Sequence, residues 1–89
     1  MKYIKKDIAI EAYEHQSSQG QNWPVDAPDW FHAAIKNGRI SQIAGGKLTI
    51  KTLEGDHTAL DGDFIIQGVR GELYPCRSDI FAETYAQVE

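Results

Sequence analysis

Residues 62–85 read GDFIIQGVRGELYPCRSDIFAETY and decide how the chain folds. Phe64, Ile65 and Ile66 are β-formers placed directly after the Asp61-Gly62-Asp63 turn cluster. A continuous apolar run of this length suits a central strand, or one covered on both faces. Gly68-Val69-Arg70-Gly71 interrupts it, and two glycines three apart can supply the positive φ that a tight hairpin or bulge needs. The return strand is expected over 72–76, with Leu73 and Pro75 on one face and Glu72, Tyr74 and Cys76 on the other. Pro75 has no N–H and belongs at a strand end or an edge. Ser78 is a candidate N-cap and Asp79 complements the dipole of a closing helix over 79–87. Ile80, Phe81, Thr84, Tyr85 and Val88 form its inward face.

Outward from this stretch the pattern is mostly strand and turn. Ile8, Ile10 and Ala12 alternate with Ala9, Glu11 and Tyr13, as in a strand with one buried face. Residues 15–21 are polar and read as a loop leading to Trp23-Pro24. A helix is expected over 28–37, with Asp26 as N-cap and Pro28 in its first turn. Its apolar stripe is Trp30, Phe31, Ala34 and Ile35, and Asn37-Gly38 form the C-cap. Strands follow over 39–44, 47–53 and 57–60, separated by turns at Ala44-Gly45-Gly46 and Glu54-Gly55-Asp56. The expected fold is therefore α+β: a small antiparallel sheet of five to six strands packed against one helix, with a short C-terminal helix closing an end.

At 89 residues the chain forms one domain with a small core, at a size where self-association often adds stability. With 42% hydrophobic and 25% charged residues it is not a disordered polymer. No apolar run approaches the roughly 20 residues that span a membrane, and the lysines at the N-terminus lack the apolar core of a signal peptide. A single cysteine makes no internal disulfide, which points to a reduced, cytoplasmic setting. The net charge of −4 disfavours nucleic acid as a partner, since Lys2, Lys5 and Lys6 are the one basic cluster and sit at a terminus. Glu54, Asp56, Asp61 and Asp63 place four acids within ten residues, but Asp and Gly are what turns require.

Motifs for chemistry are sparse. There is no phosphate-binding G-x-x-x-x-G-K-[ST] loop, no dinucleotide G-x-G-x-x-G and no G-x-S-x-G elbow. His15, His32, His57 and Cys76 lack the paired spacing of a zinc site. Cys76 and His57 would make a nucleophile and base only if folding joined them. No catalytic residue, metal or cofactor is assigned, and an enzyme is not expected.

The residues from Gly62 to Tyr85, together with Leu53-Glu54-Gly55-Asp56-His57, resemble the C-terminal signature of a group of small proteins encoded by tailed phages and prophages. That signature runs Gly-Asp-aromatic-Ile-Ile, Gly-Val-basic-Gly-Glu, aromatic-Pro-Cys, then Asp-Ile-Phe and Thr-Tyr. The chain departs from it at Asp61, where the group more often has proline. The resemblance implies a phage origin and transfers no catalytic residue. The function expected is that of a small interaction protein which binds a host bacterial protein and inhibits a defence system. Its candidate contact residues are Trp23, Arg70, Glu72, Tyr74 and Arg77, because aromatics and arginine carry binding energy at interfaces. A homodimer is expected, joined by an edge strand or by apolar helix surface. Two alternatives stand beside this. One is a nucleotide-sequestering protein using Arg70, Arg77 and amides near Pro28 and Ser78, and the other is a virion or morphogenesis accessory protein.

Overall fold

The computed structural model describes residues 1–3, 9–16 and 27–87. Among the described residues the order is β1 (Glu11–Glu14), α1 (Asp29–Lys36), β2 (Ile40–Ile43), β3 (Lys47–Thr52), β4 (Gly55–Ala59), β5 (Phe64–Gln67), β6 (Leu73–Cys76) and α2 (Ser78–Thr84). The class is α+β. The six strands divide between two antiparallel three-stranded sheets, β1-β5-β6 and β2-β3-β4. The division falls at residues 60–63. There the Gly62 amide donates to the His15 carbonyl (2.8 Å) and the His15 amide donates to the Asp63 carbonyl (2.9 Å), so the chain leaving β4 is captured by the end of β1.

β5 is the central strand of its sheet, and both its faces are covered, as its unbroken apolar run requires. Ile65 faces the main core with Leu73, Phe31, Ala34, Ile40, Leu48, Ile50 and Ala59. Ile66, also fully buried, and Phe64 turn the other way, toward α2. Phe64 stacks on Phe81 with ring centroids 4.0 Å apart, and Phe81 in turn stacks on Tyr85 at 5.0 Å. The second sheet turns Ile40, Leu48, Ile50 and Ala59 inward. α1 adds Phe31, against which the Tyr13 ring packs at 4.8 Å.

Turn chemistry accounts for the hairpins. In the β5–β6 connection the Gly71 amide donates to the Gly68 carbonyl (3.0 Å) and the Gly68 amide to the Glu72 carbonyl (2.8 Å). With Gly71 at φ 82° this is a three-residue loop closed by a glycine bulge. Gly71 alone supplies the positive φ. Gly68 differs: a Cβ there would fall on the carboxylate of Glu72, the far end of a flexible side chain, which would have to move aside. α1 ends as its Asn-Gly signal predicts, with Gly38 at φ 84° and the Arg39 amide donating to the Ala34 carbonyl (2.8 Å).

Other expectations need correction. Pro28 occupies the N-cap position of α1 without a side-chain cap, and Asp26 lies outside the described residues. Ser78 is already helical. Arg77 is the N-cap of α2, and the Asp79 carboxylate accepts from the Ile80 amide at 2.9 Å. α2 stops at Thr84 because Tyr85 is extended (φ −122°, ψ 150°), which carries its ring back onto Phe81. Ile80 is 47% exposed and is not part of an inward face.

Two side chains tie the sheets together at opposite ends of the β2–β3 hairpin. His15, expected in a polar loop, is buried, and its Nε2 donates to the Gly46 carbonyl in the β2–β3 turn at 2.6 Å. Arg39, just before β2, donates from Nη2 to the Gly71 carbonyl at the β5–β6 tip at 2.7 Å.

Candidate functional site

The two sheets part at one end. There the β3–β4 turn and the edge of β6 border a half-open groove of about 300 Å³. Thr52, Leu53, Glu54 and His57 form one side, and Glu72, Leu73, Tyr74 and Pro75 the other. The turn is held by the Thr52 hydroxyl, which donates to the Gly55 carbonyl (2.7 Å) and accepts from the Glu54 amide (3.1 Å). This leaves Leu53 pushed into solvent at 88% exposure. His57 pairs with Ile50 and so lies on the inward face of its sheet, yet it remains exposed, because the core ends before reaching it.

Of the residues expected to form a contact surface, Glu72 and Tyr74 line this groove. Arg70 is exposed at the tip of the β5–β6 hairpin, and its amide lies 3.4 Å from the Glu72 carboxylate. Arg77 is at the far end of β6, where Nη2 donates to Asp79 Oδ2 at 2.8 Å in a solvent-exposed ion pair. Arg70 and Arg77 therefore do not converge on one anion site. Trp23 lies outside the described residues. Sequence reasoning did not select Thr52, Leu53, Glu54, Leu73 or Pro75. The alternation of Leu48, Ile50 and Thr52 does predict the inward side of β3, and hence where such a groove could open.

Two groups on β6, the Tyr74 phenol and the Cys76 thiol, are held in their neutral forms. Burial, a hydrogen bond with Tyr85 and the nearby Tyr85, Glu72 and Cys76 push the Tyr74 phenol up to about 12. The Cys76 thiol is raised by burial and then by Asp63 and Asp79, so its nucleophilic thiolate is disfavoured. Cys76 pairs with Phe64 on the α2 side of its sheet, whereas His57 belongs to the groove, so folding does not join these two groups. Among the described residues no cluster of three or more His, Cys, Asp or Glu is arranged to hold a metal ion. Nor is any described helix long and apolar enough to cross a membrane.

No protein-family model, curated protein or solved structure matches this chain.

Proposed function

We propose that this chain is a small phage-encoded interaction protein that binds a host protein in the bacterial cytoplasm and inhibits a defence system. The phage setting rests on the signature resemblance at residues 62–85. The observation that supports protein binding is the groove at the end of the two sheets. It offers an apolar floor from Leu73 and Pro75, a solvent-facing aliphatic rim at Leu53, and two carboxylates at Glu54 and Glu72. No lysine or arginine is among its lining residues. Its chemistry suits a partner segment that presents a basic side chain next to an aliphatic one. The same acidic lining disfavours a nucleotide, whose phosphates would meet Glu54 and Glu72 rather than Arg70 or Arg77.

The test is retention of host proteins on the immobilised chain, read by mass spectrometry. A single host protein is expected to bind and to be lost with the double variant Leu53→Ser, Glu54→Lys, which alters an exposed turn and leaves the core untouched. Equal retention by that variant, or no retained protein with the native chain, overturns the proposal.

A further inference from the structure

The phase of each ladder determines which backbone groups are left facing outward at the sheet edges. In the β2-β3-β4 sheet the Lys51 amide donates to the Arg39 carbonyl, so the odd-numbered residues of β3 bond to β2 and its even-numbered residues bond to β4. On β4 this directs Gly55, His57 and Ala59 toward β3 and leaves the N–H and C=O of Asp56 and Thr58 facing out. The free edge is short and closed at both ends. The Glu54 amide is taken by the Thr52 hydroxyl, and the Leu60 amide by the Asp63 carboxylate at 2.9 Å. Gly55 to Thr58 are all exposed, so among the described residues no side chain or element closes over it.

The other edges differ. Gly68 N–H to Glu72 C=O sets the phase of the β5–β6 ladder, which turns Leu73 and Pro75 outward on β6. Pro75 has no amide hydrogen to offer there, and proline at such a position is a common guard against edge pairing. β2 turns Ile40 and Gln42 outward, but Ile40 is only 1% exposed, so half of that edge is covered. β1 adjoins segments outside the described residues.

The geometry points to β4 as a self-pairing edge, where a second copy of this chain adds its own β4 antiparallel about a two-fold axis through His57. In that register Asp56 faces the partner's Thr58 and Thr58 faces the partner's Asp56. All the outward donors and acceptors between the two closed ends are then satisfied. Centring the axis on Asp56 instead would set two carboxylates opposite each other, which the charge pattern disfavours. Lys51, paired with Asp56 on the outer face, adds a cation beside each acid.

The β2-β3-β4 sheets of the two copies become one six-stranded sheet, and His57 meets the partner's His57 in a non-hydrogen-bonded pair on the inward face. Because His57 lines the groove, each groove then abuts the two-fold axis and is bordered by the partner's His57. The self-pairing rests on the ladder alone. Its consequence, a paired and bivalent docking surface, rests on the groove reading above.

The test uses the full chain with Cys76→Ser, so that the introduced thiol is the only one. Non-hydrogen-bonded antiparallel partners stand about 4.5 Å apart at Cα, within the roughly 4.4–6.8 Å that a disulfide bridges. His57→Cys in this background is expected to convert mostly to a covalent dimer in a glutathione buffer, with oxidised glutathione accepting the two electrons. Asp56→Cys, facing the partner's Thr58, is expected to stay largely uncrosslinked. In the native chain, Thr58→Pro removes an outward donor without breaking an internal ladder bond. It is expected to abolish the concentration-dependent self-association that sedimentation should show for the native protein. His57→Cys remaining monomeric, or Asp56→Cys linking as efficiently, overturns the inference, as does native protein that stays monomeric in sedimentation at high micromolar concentration. None of these measurements involves a host protein, so their failure leaves the docking proposal standing, and the reverse holds too.

Discussion

Replacing His15 by alanine removes the tie between the end of β1 and the β2–β3 turn while leaving the backbone of both in place. The Asp63 and Gly62 hydrogen bonds of residue 15 run through its amide and carbonyl and survive the substitution. What is lost is the 2.6 Å bond from Nε2 to the Gly46 carbonyl and the packing of a ring that is only 6% exposed. A net hydrogen bond contributes about 1 kcal/mol. The void left by the ring adds about 1–2 kcal/mol, on the low side of large-to-small core changes because the imidazole is small and partly polar. The sum is about 2–3 kcal/mol, which for a domain of this size lowers Tm by roughly 10–20 °C. Urea unfolding followed by tryptophan fluorescence measures it, with the thermal midpoint by circular dichroism as a check. His15→Phe separates the two contributions, since it keeps the ring volume and loses the donor, and it is expected to cost about half as much. A thermal shift below a few degrees for His15→Ala would refute the clamp. So would a His15→Phe variant as stable as the native chain, because the Gly46 bond would then contribute nothing.

Three further outcomes follow from single contacts. Gly68→Ala forces the Glu72 side chain off its position. In a double-mutant cycle its stability loss is expected to shrink clearly in the Glu72→Ala background, and strict additivity would count against that close approach. Phe81→Ala removes the ring stacked between Phe64 and Tyr85 and is expected to cost about 2–3 kcal/mol, at the lower end of aromatic truncations because the ring is half-buried. Its test is the shift in urea midpoint. Raising the Tyr74 phenol to about 12 in the folded protein, from an unfolded value of 10.0, means that folding favours the protonated form. This stabilisation is fully present below pH 10 and is lost as pH rises from there through about 12. Phenolate absorbance should show one tyrosine titrating late, and Tyr85→Phe should bring it down only in part, since burial is the larger cause.

What could be read from the chain and what could not divide along the range of the interactions. The β5–β6 hairpin is legible because its determinants are neighbours: a β-forming triplet, a glycine at φ 82° and a proline at an outward edge position all act within a dozen residues. The end of α1 is legible for the same reason, since Asn37-Gly38 caps it through bonds to the preceding turn. His15 is not. Its polar neighbours spell a loop, and only the pairing of residue 15 with Asp63 brings its ring to Gly46, 31 positions away. The same long-range pairing divides the strands between two sheets, because β5 meets β1 rather than continuing beside β4. The groove inherits this difficulty. Leu53 and Glu54 look like ordinary turn residues, and Leu73 and Pro75 like an ordinary strand. They come to line one groove only because the two sheets separate where the last inward residues, Thr52 and His57, are too small or too polar to extend the core. Arg70 and Arg77 fail as a pair for a local reason that spacing conceals. Seven residues of β-hairpin and strand put one at the loop tip and the other at the opposite end of β6, and Asp79 already satisfies the second. Of the residues chosen by type, Glu72 and Tyr74 line the groove, carried there by alternate positions at the start of β6, while Thr52, Leu53, Glu54 and His57 come to it from the opposite sheet.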